Sequence, residues 1–352
     1  MKYSIGYQLP DEYDSTSELV SDYREHISSV YFSAPGHVSA RSVIDRKDTE
    51  QMLEELSYIK RELEIPLVLL YNANCYGDTA VSDKFEKEIV ENVGSMITRV
   101  GITDITTTSP FVAKIVKREF PEIKVCASVN MWIGTEQAME YLGEDFDGFY
   151  MQREYNRDFK KIKRLSSWCK EHGKTLKLLA NSGCLYSCPF HSFHDNLVAH
   201  EQGASKETNA MSKNPSPCWD LMYSKDTVEA ATTFLQESWI RPEDMKHYEP
   251  YFSEAKLATR MHSHPRRVVS AYIRGRFPGN MLDLTEPSFS RRFSKHILDA
   301  TKFPSDWFER TTGCSKDCER CGYCAEVAKQ ALVSKEELDK MFFSKMCISN
   351  NG

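Results

Sequence analysis

The chain has 352 residues, 41% of them apolar and 27% charged, and its formal charge of −6 argues against a general polyanion binder. No apolar run reaches the ~18 residues of a membrane span, and the N-terminus lacks the apolar core of a secretory leader, so a cytoplasmic protein with no membrane partner is expected. In that reducing setting eleven cysteines point to metal ligands or buried thiols rather than disulfides.

Taken in order, short apolar or β-branched runs alternate with amphipathic segments of helical length. The predicted strands are Tyr3–Tyr7, Ser29–Ser33, Pro66–Asn72, Asp104–Thr108, Lys124–Asn130, Gly148–Arg153 and Leu176–Asn181. Between them, helices are expected over Thr49–Leu63, Asp83–Thr98, Pro110–Glu119, Thr135–Leu142 and Asp158–His172, the last with Asp158 as N-cap and Gly173 beyond its end. Seven β–α units imply a parallel sheet clothed in helices. An eighth strand at Ala255–Arg260, followed by a helix over Pro265–Ile273, closes it into a (β/α)8 TIM-like barrel spanning residues 1–276. An open doubly wound sheet ranks second, because no glycine-rich phosphate fingerprint is present.

Two additions interrupt this pattern. An insertion over about 182–251 carries Cys184, Cys188 and Cys218; within it Glu201–Pro217 reads as loop and Trp239–Asp244 as a buried turn. Residues 277–352 form a small cysteine-rich extension with an expected helix over Ser334–Phe343. Four cysteines within eleven positions, Cys314, Cys318, Cys321 and Cys324, are the pattern of a tetrathiolate site for zinc or an iron–sulfur cluster.

Chemistry in such barrels gathers at the carboxyl ends of the strands. There Cys184, Cys188 and Cys218 supply three thiolates for a second metal centre, with Cys75 a candidate fourth ligand. His191 and His194, spaced by three, lie near as further candidate ligands but read first as ordinary polar residues, and Cys126 and Cys169 read as packed thiols. Arg153–Glu154 offers a bidentate cation beside an acid/base group, the alternative being a salt bridge between strands. Lys256 and Arg260, an even number apart, share a side and suit a small anionic substrate. Basic pairs at Lys160–Lys161, Lys163–Arg164 and Arg266–Arg267 are read as solvated helix faces before an RNA surface.

In their order and placement, Val38-Ser39-Ala40-Arg41, Asn72, Ala127-Ser128-Val129-Asn130, Arg153-Glu154 and Lys256-Leu257-Ala258-Thr259-Arg260 resemble the collagenase-like peptidase family U-32. That resemblance implies a β/α barrel with a [4Fe-4S] cluster held by cysteines. It further implies oxygen-independent hydroxylation of the ubiquinone ring, transfer RNA or ribosomal RNA, the RNA-modifying members drawing on prephenate or a related metabolite. The peptidase label is the family's older assignment. This chain departs from the pattern at Leu178–Cys184, which replaces the usual stretch after the seventh strand, and in its four-cysteine tail.

The expectation is an iron–sulfur enzyme of redox type acting on a small molecule or RNA. Cys184, Cys188 and Cys218 hold the barrel cluster; Arg153 and Glu154 are catalytic; Arg41, Asn72, Asn130, Lys256 and Arg260 bind substrate. The tail cysteines hold a second cluster or zinc. A partner protein or electron donor is implied. A peptidase is the alternative, although no His-Glu-x-x-His or Gly-x-Ser-x-Gly motif is present. A non-enzymatic electron-transfer subunit is the third reading.

Overall fold

The computed structural model describes residues 1–12, 14–37, 39, 48–204 and 216–337, the side chains of 201–204 excepted. Arg41, Val38, Ala40, Cys347, most of the Glu201–Pro217 loop and most of the Ser334–Phe343 helix fall outside them. Eight parallel strands close into a barrel in sequence order: β1 (Lys2–Gly6), β2 (Ile27–Ser33), β3 (Leu67–Tyr71), β4 (Asp104–Thr107), β5 (Lys124–Ala127), β6 (Gly148–Tyr150), β7 (Thr175–Leu179) and β8 (Glu254–Lys256). Closure comes from β1 pairing with β8, Tyr3 opposite Ala255 and Ser4 opposite Lys256. All eight predicted strands are present, and with them the (β/α)8 barrel.

The outer ring is built by α1 (Thr16–Asp22), α2 (Thr49–Arg61), α3 (Asp83–Val100), α4 (Pro110–Glu119), α5 (Glu136–Leu142) and α6 (Phe159–Glu171). Each places its apolar stripe on the sheet. In α3, Phe85, Ile89, Val93, Met96 and Val100 are buried at spacings of three and four. Helix α6 starts where the sequence indicates, Asp158 accepting a hydrogen bond from the Lys161 amide at 3.0 Å, and Gly173 takes the left-handed conformation just past its end.

Strand residues of one parity pack outward under these helices; those of the other parity fill the barrel. Leu67, Leu69 and Tyr71 of β3 belong to the main core, whereas Val68 and Leu70 form a small separate cluster with Tyr31. Polar and charged side chains share the same layer. Ser29 donates to Ser4 at 2.7 Å, and Lys177 of β7 pairs with Glu254 of β8 at 2.8 Å, close to Cys126 and Tyr150.

The insertion contributes α7 (His191–Ala204), α8 (Pro217–Ser224) and α9 (Thr227–Leu235) before the chain returns to β8 and α10 (Pro265–Arg274). Trp239 and Ile240 are buried, as the sequence indicates. The extension adds β9 (His296–Leu298), α11 (Trp307–Thr312), α12 (Cys318–Cys321), α13 (Tyr323–Ala331) and β10 (Leu332–Ser334), with β9 and β10 antiparallel. Its Phe289, Trp307, Val327 and Ala328 join the main core. Trp239 stacks on Trp307 at 5.9 Å with the Arg157 guanidinium lying over both rings, so insertion and extension pack as one layer.

Candidate active site at the barrel mouth

The carboxyl ends of the strands open into a cavity of about 460 Å³. Asn72 after β3, Asn130 after β5, Arg153 after β6, Lys256 of β8 and Arg260 beyond it all line this cavity. So do Cys184, Cys188 and Cys218 from the insertion. Eight of the residues singled out in the sequence thus meet around one space, although their positions span most of the chain.

Backbone approach positions several of them. Gly6 of β1 donates to Thr259 Oγ1 at 2.7 Å, and a Cβ at Gly6 would fall 2.7 Å from the Arg260 Cβ. Only glycine lets β1 run this close to the segment carrying Arg260, whose guanidinium donates to Ser33 Oγ. Asn181 staples the end of β7 to its surroundings. Its amide donates to the carbonyls of Ala258 (3.2 Å) and Leu284 (2.9 Å), and its oxygen accepts from the Ala258 amide at 2.6 Å. Two residues later a Cβ at Gly183 would collide with the Pro287 carbonyl, so a glycine directs the chain into Cys184.

Arg153 is buried and donates to His191 Nδ1 at 2.8 Å and to Ser182 Oγ at 3.4 Å. Arginine has only donors, so Nδ1 is the accepting nitrogen and the proton of neutral His191 lies on Nε2. That nitrogen faces Asp195 Oδ2 at 3.4 Å, and the same oxygen accepts from the Asn74 amide at 3.3 Å. The Trp132 ring meets His191 edge-on at 4.2 Å between centroids. The resulting chain, Arg153–His191–Asp195–Asn74, fixes an imidazole tautomer at the cavity wall. His-x3-Asp on the first turn of α7 is its one sequence signal, and reading His191 as an ordinary polar residue misses it.

Glu154, expected beside Arg153 in catalysis, is not among the residues lining the cavity. It is buried, with Oε1 3.9 Å from Arg153 Nε and Oε2 lacking a hydrogen-bond partner. The strand expected over Gly148–Arg153 ends at Tyr150, and Arg153 and Glu154 open a 3-10 turn over Arg153–Tyr155, in which successive side chains point about 120° apart. Cys75 does not line the cavity either; its sulfur accepts from the Gly77 amide.

The Cys188 and Cys218 thiols are held in the neutral form. Burial, then the neighbouring Cys184 and Cys188 thiols, push Cys218 up to about 11, and burial with Cys184 raises Cys188. Such groups are poor nucleophiles at neutral pH. They also oppose one another's ionisation, which a soft cation would relieve. Among the described residues no group of three or more His, Cys, Asp or Glu side chains is already gathered in a metal-binding arrangement.

Cys314, Cys318, Cys321 and Cys324 line a separate cavity of about 330 Å³ together with Arg157 and Lys316. Burial first, then Cys314 among its neighbours, raises Cys324 to about 11, while Arg157 opposes the shift. A third cavity, about 550 Å³, lies between the two sets and is lined by both Cys188 and Cys318. Glu237 faces it, 1% exposed, with neither carboxylate oxygen hydrogen-bonded. Burial, then the Cys184 thiol, raises its carboxyl well above the ordinary range. No local sequence pattern marks Glu237.

The basic pairs considered for RNA are in part neutralised. Arg164 binds Glu136, Arg266 binds Asp14 and Asp22, and Arg267 binds Asp283. No helix among the described residues is long and apolar enough to cross a membrane.

No family model matches the chain. An uncharacterized protease of Methanocaldococcus jannaschii is 24% identical over 338 residues, covering 93% of this chain and 95% of its own length. Among solved structures, a U32 peptidase superposes with a TM-score of 0.52 and 14% identity, over 73% of this chain and 91% of its own. The two findings support the resemblance to the U-32 peptidase family, and the second shares the barrel fold.

Proposed function

We propose that this chain is a redox enzyme of the U-32 kind that binds a small anionic substrate at the barrel mouth beside an iron–sulfur cluster. The observation that carries the reading is that three thiols and three cations line one cavity, the cations being Arg153, Lys256 and Arg260. An all-thiolate donor set on Cys184, Cys188 and Cys218 suits an iron–sulfur cluster better than a hard oxygen-liganded ion. When bound, the cluster supplies one-electron chemistry next to the substrate, in line with oxygen-independent hydroxylation or a related modification. Arg153 and Arg260 orient the anion, and His191, held in one tautomer by Arg153, offers its Nε2 proton toward Asp195. The tail cysteines are suited to a second cluster or to zinc, and the two electrons that hydroxylation removes from the substrate call for a partner acceptor or a hydroxyl-donating co-substrate.

A peptidase is the second reading, favoured by the name of the Methanocaldococcus jannaschii relative. A Cys, His and Asp do come together at the mouth, but burial holds the Cys188 and Cys218 thiols in their unreactive form. Purification without oxygen, followed by iron, acid-labile sulfide and zinc measurements on wild type, Cys184→Ala and Cys321→Ala, tests the proposal. Iron is expected in the wild type and reduced in Cys184→Ala, while Cys321→Ala loses the iron or the zinc of the tail. A wild type without iron sinks the cluster reading. Peptide hydrolysis that survives Cys184→Ala would put the peptidase first only if its pH profile followed His191.

A further inference from the structure

Lys256 differs from the other cations at the barrel mouth. It is 9% exposed, with its Nζ 3.8 Å from the centre of the Tyr31 ring and 5.3 Å from that of Tyr150. No carboxylate pairs with it among the described residues. Glu254, which favours its charged form, is already bound by Lys177 at 2.8 Å. Arg260 and Lys177 add like charge, Cys126 acts the other way, and the neighbouring Tyr31 and Tyr150 are phenols that burial keeps neutral. Burial first, then Arg260, push the amine down to about 7. Aromatic faces offset part of the cost of a buried ammonium, but not that cost together with two neighbouring cations. Lys177 shows the opposite arrangement: burial opposes its charge, yet Tyr150, Cys126 and Glu254 keep it protonated.

We propose that Lys256 is a nucleophile that forms an imine with the carbonyl carbon of a small aldehyde or ketone bearing a carboxylate. The proposal rests on the reading of the cavity as a small-anion site and deepens it. The Nζ lone pair forms the C–N bond while the carbonyl π pair moves to oxygen. One proton passes from nitrogen to that oxygen, a second protonates it, and water leaves with the C–O pair to give the iminium. Hydrolysis reverses every step, so neither oxidant nor reductant is consumed. Arg153 and Arg260 line the same cavity and pair with the carboxylate, and Asn72 and Asn130 offer amide donors to the intermediate hydroxyl.

The test treats the purified full-length protein with glyoxylate or pyruvate at neutral pH, then with borohydride, and maps the reduced adduct by peptide mass spectrometry. Calorimetry measures binding of the same probes to wild type, Lys256→Met and Lys256→Arg, and iron content is followed in each. A single adduct on the Lys256 peptide, absent from both variants and from Lys177, supports the proposal. Binding without an adduct overturns it and leaves the anion site intact. Neither binding nor adduct overturns both the proposal and the small-anion reading. Adducts spread over many lysines report adventitious amine chemistry and overturn it as well. Iron retained in Lys256→Met keeps the cluster reading separate from all four outcomes.

Discussion

The two cysteine sets are built by opposite means. The tail places four thiols within eleven residues around α12, where a short helix and the left-handed Gly322 bring them to one cavity with Arg157 and Lys316. At the barrel mouth, thiols from the insertion meet cations, amides and an imidazole delivered by separate strands. The first environment draws its thiols from one short stretch of chain and adds Arg157, Arg310 and Lys316 around them. The second combines cations and amide donors with an imidazole whose two nitrogens face Arg153 and Asp195, a mixed set that suits the proposed substrate site. A local cluster of one residue type indicates a stable bound group, whereas a mixed set assembled over long range indicates chemistry.

That contrast breaks most readily at the cysteines. Cys184→Ala and Cys218→Ala are expected to abolish activity and to remove only the mouth centre's iron, while Cys321→Ala removes only the tail's metal. Equal loss from both sets in every variant would make them one site.

Lys256→Met tests the cost of charge at the mouth. With its folded pKa near 7 and an ordinary value of 10.5, wild-type Lys256 binds fewer protons folded than unfolded between those limits. Stability therefore rises with pH through that window, and the deficit is full below pH 7. The variant should be more stable there, with the gap closing toward pH 10.5 in denaturant titrations. A constant gap would mean that Lys256 is not depressed.

Arg153→Ala leaves the buried His191 Nδ1 without its 2.8 Å donor, at an expected cost of ~1–3 kcal/mol in chemical denaturation together with weaker anion binding. A change in binding alone would remove Arg153 from the wall's architecture. The smallest effect is expected far from either site. Asp158→Ala removes a single N-cap and should cost about 1 kcal/mol without altering metal content.

The barrel is legible in the sequence because strand and helix periodicities are local. Helix Pro110–Glu119 has the bounds its pattern indicates, and Asp158 and Gly173 mark the ends of α6, since caps and glycine conformations act within a turn. The insertion is harder to read. Its weakly amphipathic α7 carries His191 and Asp195, and their value depends on Arg153 and Asn74, distant in sequence.

By itself the sequence determined the β/α alternation and the cysteine spacings, because these follow from short-range sterics and burial of every second or fourth residue, whereas β5, β6 and β8 end at Ala127, Tyr150 and Lys256, short of the ends expected. Tertiary structure alone decided which strand-end residues share a cavity. It turned Arg153 inward and left Glu154 off the wall, and it gave Glu254 to Lys177 rather than to Lys256. Desolvation and pairing depend on what other parts of the chain bring alongside, so the same residue type becomes a fixed ion pair at Lys177 and a depressed amine at Lys256.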